Sequence, residues 1–144
     1  MSIQKILVAY DGSDCSCHAL AWALSNHPEA QIDVLTILPP LNTFYNSYAM
    51  SATGFIKDQI EILRQQAKEK MTKLKEQYAA EGKTIETIVL EGSVVENLLA
   101  YSSKSGAELI VTGSRGTGGF VGLILGSTAH ELILHAKVPV VVVR

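Results

Sequence analysis

Short apolar runs alternate with amphipathic stretches along the whole chain, and this alternation predicts the fold. Residues 3–10, IQKILVAY, are mostly apolar and are closed by Asp11-Gly12-Ser13, as expected for a buried strand ending in a tight turn. A helix should follow: Ser13 or Asp14 can cap it, Ala19, Leu20, Ala23 and Leu24 give it an apolar face, and Asn26-His27-Pro28 stops it. Residues 32–38, IDVLTIL, predict the second strand, ended by Pro39-Pro40. Residues 41–53 carry no period and are rich in Asn, Ser and Thr, which predicts a long surface loop of the kind that often covers a site.

Beyond it, Ile56, Ile60, Leu63, Ala67, Met71, Leu74 and Tyr78 recur at steps of three and four, while Lys57, Glu61, Arg64, Lys68 and Glu69 fall elsewhere. That spacing predicts an amphipathic helix of about 25 residues ending at Gly82, packed on a sheet rather than in a coiled coil. Thr84–Leu90 alternates Ile85, Thr87 and Val89 against Glu86 and Ile88 and predicts a third strand. Ser93-Val-Val-Glu96 and Thr128-Ala-His-Glu131 read as capping boxes that open two further helices. Ala107–Thr112 and Pro139–Val143 complete the strands. The order is βαβαβαβαβ, which implies an α/β fold: a doubly wound, mainly parallel five-stranded sheet with helices on both faces and right-handed crossovers. In such sheets ligands bind outside the carboxyl ends of the strands, where the strand order reverses. That directs attention to the segments after residues 10, 37 and 112.

Composition narrows the class. The chain has 144 residues, 47% hydrophobic and 18% charged, which suits one globular domain over residues 1–144 with a substantial core. A net charge of −2 provides no basic field for a polyanion, so nucleic acid is not expected as a partner. No stretch approaches the apolar length of a membrane span, and no signal-peptide pattern opens the chain, so a soluble cytoplasmic protein is expected. Cys15 and Cys17 stand two apart in a predicted helix and face different ways, so no disulfide between them is expected. A low-pKa thiolate at Cys15 would have no His or second Cys placed to use it. His130 and His135 are five apart, and His18 and His27 stand alone, so no metal site is expected.

The candidate chemistry lies in residues 113–128, GSRGTGGFVGLILGST. A Walker A loop needs Gly-Lys-Ser/Thr, and no lysine occurs between Lys104 and Lys137. A dinucleotide fingerprint fails as well, because Gly116-Thr-Gly118 is followed by Val121 and the loop comes after the fourth strand. What remains is general. Glycines let backbone N–H groups turn toward an anion, and the loop leads into a helix N-terminus with partial positive charge, where Ser127 and Thr128 add hydroxyls.

The spacing Gly113-x2-Gly116-x9-Gly126-Ser127 resembles the Gly-2x-Gly-9x-Gly-Ser/Thr motif of the ATP-binding universal stress proteins. The start KILVAYDGS, the junction LIVTGSRG and the close VPVVVVR are similar to that family at matching places. The resemblance implies an ATP-binding site in which Ala9 and Ile37 line the adenine pocket, Thr112 and Gly113 continue it, and Asp11 contacts the ribose or adenine side. It further implies that Gly116, Gly126, Ser127 and Thr128 hold the phosphates. Thr112 is more polar than the family's usual residue there. Asp11 has an alternative reading as an Asx-turn or cap at a strand end, and Arg115 either pairs with phosphate oxygens or points to solvent.

These features predict an adenine-nucleotide (ATP or AMP) binding protein of stress response or signalling, with ATP bound with or without Mg²⁺, acting through conformation or partner exchange. The alternative is a slow ATP hydrolase; no catalytic residue is predicted, because the loop offers donors but neither Lys nor acid. A phosphoacceptor receiver domain would want paired acids after the first strand and a Lys after the fifth. Here Asp11 is alone and Lys137 precedes the last strand. Val138–Val143 is an uninterrupted apolar run; at the end of the sheet it would leave an open edge, which predicts a homodimer paired through it. Burial in mid-sheet is the rival.

Overall fold

The computed structural model describes residues 2–115 and 125–144, with residues 42–56 at the level of the backbone only. Five strands, β1 (Lys5–Ala9), β2 (Gln31–Leu38), β3 (Glu86–Glu91), β4 (Leu109–Gly113) and β5 (Val140–Val143), form one sheet in the order β3-β2-β1-β4-β5. Every pairing is parallel. The connecting helices are α1 (Asp14–Asn26), α2 (Leu41–Ala80), α3 (Val94–Ser105) and α4 (Ser127–His135). The predicted alternation is therefore present, with strand ends displaced by one or two residues.

Two cores sit on the two faces, as the period of two along each strand requires. On one face Ile6, Val8, Ile32, Val34, Leu109 and Val111 pack with Ala19, Leu20 and Ala23 of α1 and Met71 of α2. On the other, Leu7, Leu35 and Ile110 pack with Leu98 of α3 and Leu132 of α4. Each large side chain taken fully out of water contributes about 1.5–3 kcal/mol, which offsets the ordering entropy of the chain.

Residues 41–53 are helical, not a loop: α2 runs from Leu41 to Ala80. Pro40, with φ at −69°, already holds the helical value at the N-cap. No proline interrupts the chain between Pro40 and Pro139. Extending an existing helix adds one hydrogen bond per residue fixed and needs no new nucleus, so polar residues of middling propensity are carried along. The apolar stripe is narrower than expected. Ile60, Ala67 and Met71 are buried, yet Leu63 is 49% exposed, and its neighbour Arg64 reaches Glu91, the last residue of β3. The side chain of Ile56 lies outside the described residues.

The two capping boxes are also corrected. Ser93 is the N-cap of α3, but its side chain makes no capping hydrogen bond; instead Asn97 Nδ2 donates to the Ser93 carbonyl at 2.7 Å. The N-cap of α4 is Gly126, which places Thr128 inside the first turn.

One buried charge interrupts the apolar pattern of β2. Asp33 is 3% exposed. Its Oδ2 accepts the Tyr101 hydroxyl at 2.9 Å and lies 3.6 Å from Lys5 Nζ, while Oδ1 accepts Gln31 Nε2 at 3.1 Å. Shared partners are what make a carboxylate tolerable there.

Candidate functional site

The sheet order fixes where a ligand can enter. From β1 the chain goes outward to β2 and β3 on one side, then crosses to β4 and β5 on the other. The order thus reverses between β1 and β4, and the crevice lies beyond Ala9 and Gly113.

At the exit of β1, Asp11 Oδ1 accepts the Ser13 N–H at 2.9 Å. This is an Asx-turn, closed by Gly12 at φ +83°, a left-handed conformation that favours glycine. Ser13 then caps α1 by accepting the Ser16 N–H at 3.3 Å, and Ser16 Oγ returns a hydrogen bond to the Ser13 carbonyl at 2.9 Å. The turn holds Asp11 exposed at the mouth of the crevice. Behind it, burial and the Cys17 thiol raise the Tyr10 phenol above the usual tyrosine range.

Ala9 and Ile37 belong to the core on the α3 and α4 face, together with Leu7, Leu35 and Ile110. Thr112 follows Ile110 by two, so alternation sets it on the same face; it is buried, and its hydroxyl donates to the Gly113 carbonyl at 3.4 Å. Ala9, Ile37 and Thr112 thus share the carboxyl end of one face, with the small side chain of Ala9 on the central strand.

Gly113 has another role. A Cβ there would lie 2.7 Å from Cys15 Cβ and 2.8 Å from the Cys15 carbonyl carbon, on the side of α1. Its missing side chain lets α1 pack against β4, away from the face that Thr112 occupies. At Gly126, a Cβ would come within 3.1 Å of the Ser114 carbonyl oxygen. The Gly126 N–H donates to that same oxygen at 2.6 Å. The first-turn N–H groups of α4, at Ser127, Thr128 and Ala129, have no acceptor within the helix. Ser127 is exposed, Thr128 half-buried and Arg115 exposed. Gly116 lies outside the described residues.

Ser114 escaped the sequence reading. It is 4% exposed, its N–H donates to the Val143 carbonyl at 2.7 Å, and its Oγ lies 3.7 Å from Cys15 Sγ. A hydroxyl between Gly113 and Arg115 gives no periodic signal, and only the convergence of α1, β5 and α4 reveals its place. Among the described residues, no group of three or more His, Cys, Asp or Glu is arranged to hold a metal ion, and no helix is long and apolar enough to cross a membrane.

Known proteins share this architecture. The universal stress protein UspA from Lactobacillus plantarum superposes with a TM-score of 0.81 at 21% identity, covering 100% of this chain and 99% of that one. A universal stress protein in complex with cAMP and an Arabidopsis thaliana family protein with AMP bound both superpose at a TM-score of 0.62, with 22% and 19% identity. The first alignment covers 100% of this chain and 98% of its counterpart; the second covers 97% and 90%. In sequence, Universal stress protein YxiE of Bacillus subtilis is 30% identical over 97% of this chain and 98% of its own length. A universal stress protein of Methanocaldococcus jannaschii is 31% identical over 98% of this chain and 82% of its own. With the sequence profile of the Universal stress protein family matching residues 2–144 as well, the chain belongs to that family.

Proposed function

We propose that residues 1–144 act as one adenine-nucleotide-binding domain whose site is the crevice between β1 and β4, and that ATP or AMP bound there changes the protein's conformation or its partners. The observation that carries this reading is the adjoining of two unlike surfaces at one end of the sheet. Ala9 and Ile37 offer an apolar floor, and the tie from Ser114 to Gly126 brings the first turn of α4 against the end of β4. An apolar floor accepts a base, and a helix N-terminus accepts an anion. Family members solved with cAMP and with AMP support the same class of ligand.

In this reading Ala9, Ile37 and Thr112 contact the adenine, and Asp11, set by its Asx-turn, meets the ribose. Ser127 and Thr128 donate backbone N–H groups and hydroxyls to the phosphates, Arg115 adds charge at the rim, and Gly126 permits close approach. Gly116 would complete the loop, and Mg²⁺ would screen the phosphates when present. Hydrolysis is slow at most, well below the ~10 s⁻¹ median of enzymes, because the proposed site offers no catalytic lysine and its carboxylate, Asp11, is assigned to the ribose. We place the protein in the cytoplasm.

We also infer a homodimer through β5. Among the described residues this strand pairs only with β4. The carbonyls of Pro139 and Val143 accept from Ile110 and Ser114, so by the period of two the backbone groups of Val140 and Val142 face the open edge. An apolar edge of this kind is an aggregation hazard unless paired.

Titration calorimetry of the full chain with ATP, AMP and GTP, with and without Mg²⁺, tests the reading. Binding of the adenine nucleotides in preference to GTP is expected. No heat with ATP from micromolar to millimolar concentrations would remove the proposal, and fast phosphate release lost in Asp11→Ala would turn it into an enzyme.

A further inference from the structure

We propose that Ser114 is the positioning residue for the phosphate end of this site, and that through it the state of the β5 edge sets affinity there; the inference rests on the nucleotide reading above. Three elements meet at this buried residue. Its N–H is held by the Val143 carbonyl at 2.7 Å, its carbonyl holds the Gly126 N–H at 2.6 Å, and its Oγ sits 3.7 Å from Cys15 Sγ. The last residue of β5 and the N-cap of α4 are therefore joined by two hydrogen bonds that share a single residue.

The tie is short and stiff. Gly126 has no side chain and makes no side-chain cap, so the Ser114 carbonyl is what orients the residue from which α4 starts. A Cβ on Gly126 would press on that oxygen at 3.1 Å, which shows how closely the two segments are seated. On the other side, the Gly113 backbone is seated so close to α1 that a Cβ there would stand 2.7 Å from Cys15 Cβ, which leaves Ser114 little room to swing away from β5 toward α1. Movement of Val143 thus carries Ser114 with it, and Ser114 carries the donors of the first turn of α4.

Among the described residues β5 is an edge strand, so what occupies its outer side decides how firmly Val143 is held. By linkage, an edge partner that steadies β5 strengthens phosphate binding, and phosphate binding strengthens the edge contact by the same factor.

Amide hydrogen exchange on the ligand-free full chain tests the tie itself. The Ser114 and Gly126 amides should open with one common free energy and shift together in Val142→Lys; Gly126 exchanging far faster than Ser114 would overturn the proposal. The second measurement compares ATP with adenosine in Ser114→Pro, which removes the N–H donor and keeps the carbonyl. ATP should bind roughly tenfold more weakly, as for the loss of one hydrogen bond, with adenosine unchanged. Equal losses for both ligands would also overturn it, since a merely structural defect does not distinguish them. Should Ser114→Pro fail to fold, the paired exchange rates still test the tie; wild-type protein that binds neither ligand would remove the nucleotide reading and this inference with it, whereas unpaired exchange overturns the inference alone.

Discussion

Gly113→Ala offers the sharpest test of how the site is built. The new methyl would stand 2.7 Å from Cys15 Cβ, 2.8 Å from the Cys15 carbonyl carbon and 3.0 Å from the Ser16 nitrogen. None of these is the far end of a flexible side chain, so α1 itself must retreat from β4. Gly113 is not among the glycines of positive φ, so the penalty is steric and not conformational. Overpacking a tight contact costs about 1–3 kcal/mol, which for a chain of this size lowers Tm by roughly 3–10 °C. Denaturant and thermal unfolding measure it. Cys15→Ala keeps the Cβ and the carbonyl carbon, so the double variant should show no rescue. Gly126→Ala, whose nearest neighbour is at 3.1 Å, should lose less stability than Gly113→Ala. Unfolding of Gly113→Ala within about 0.5 kcal/mol of wild type, or its rescue by Cys15→Ala, would refute the reasoning.

Tyr101 is pushed up to about 12 by burial and by its hydrogen bond to Asp33. Its contribution is therefore full below the unfolded value near 10 and is lost as pH rises from about 10 to about 12. Tyr101→Phe should be less stable at neutral pH but show a shallower alkaline decline in unfolding scans; parallel alkaline limbs would contradict this. Val142 is the one valine of β5 outside both cores, so Val142→Lys should convert the dimer to a folded monomer in sedimentation, and a monomeric wild type or an unaffected dimer would rule the interface out. Gly126→Val should weaken ATP binding more than folding in parallel calorimetry and unfolding, and unchanged affinity would remove Gly126 from the site.

Much of this was legible in the sequence because buried parallel strands and their helices leave strong periodic signals. The five apolar runs and the Asp-Gly-Ser turn identify the strands and the start of α1. Residues 41–53 were misread because helix extension depends on an already formed neighbour, which a local window of Asn, Ser and Thr does not register. The Gly-rich spacing brackets the end of β4 and the start of α4. It did not reveal that Gly113 serves the packing of α1 or that the Gly126 N–H is committed to Ser114, because those roles depend on tertiary contacts with Cys15 and Ser114. The buried Asp33 passed unnoticed within an apolar run, since its partners Lys5 and Tyr101 are supplied by β1 and α3.

The central claim is that one crevice, between β1 and β4, holds an adenine nucleotide. An NMR titration of isotopically labelled full-length protein with ATP tests it most directly, because each backbone amide reports its own surroundings. Perturbations are expected to concentrate at Ala9, Asp11, Ile37, Thr112, Ser127 and Thr128, with the amides around Asp33 at the opposite end of the sheet unmoved. A spectrum unchanged by millimolar ATP, or changes centred away from the carboxyl ends of β1 and β4, would contradict the account.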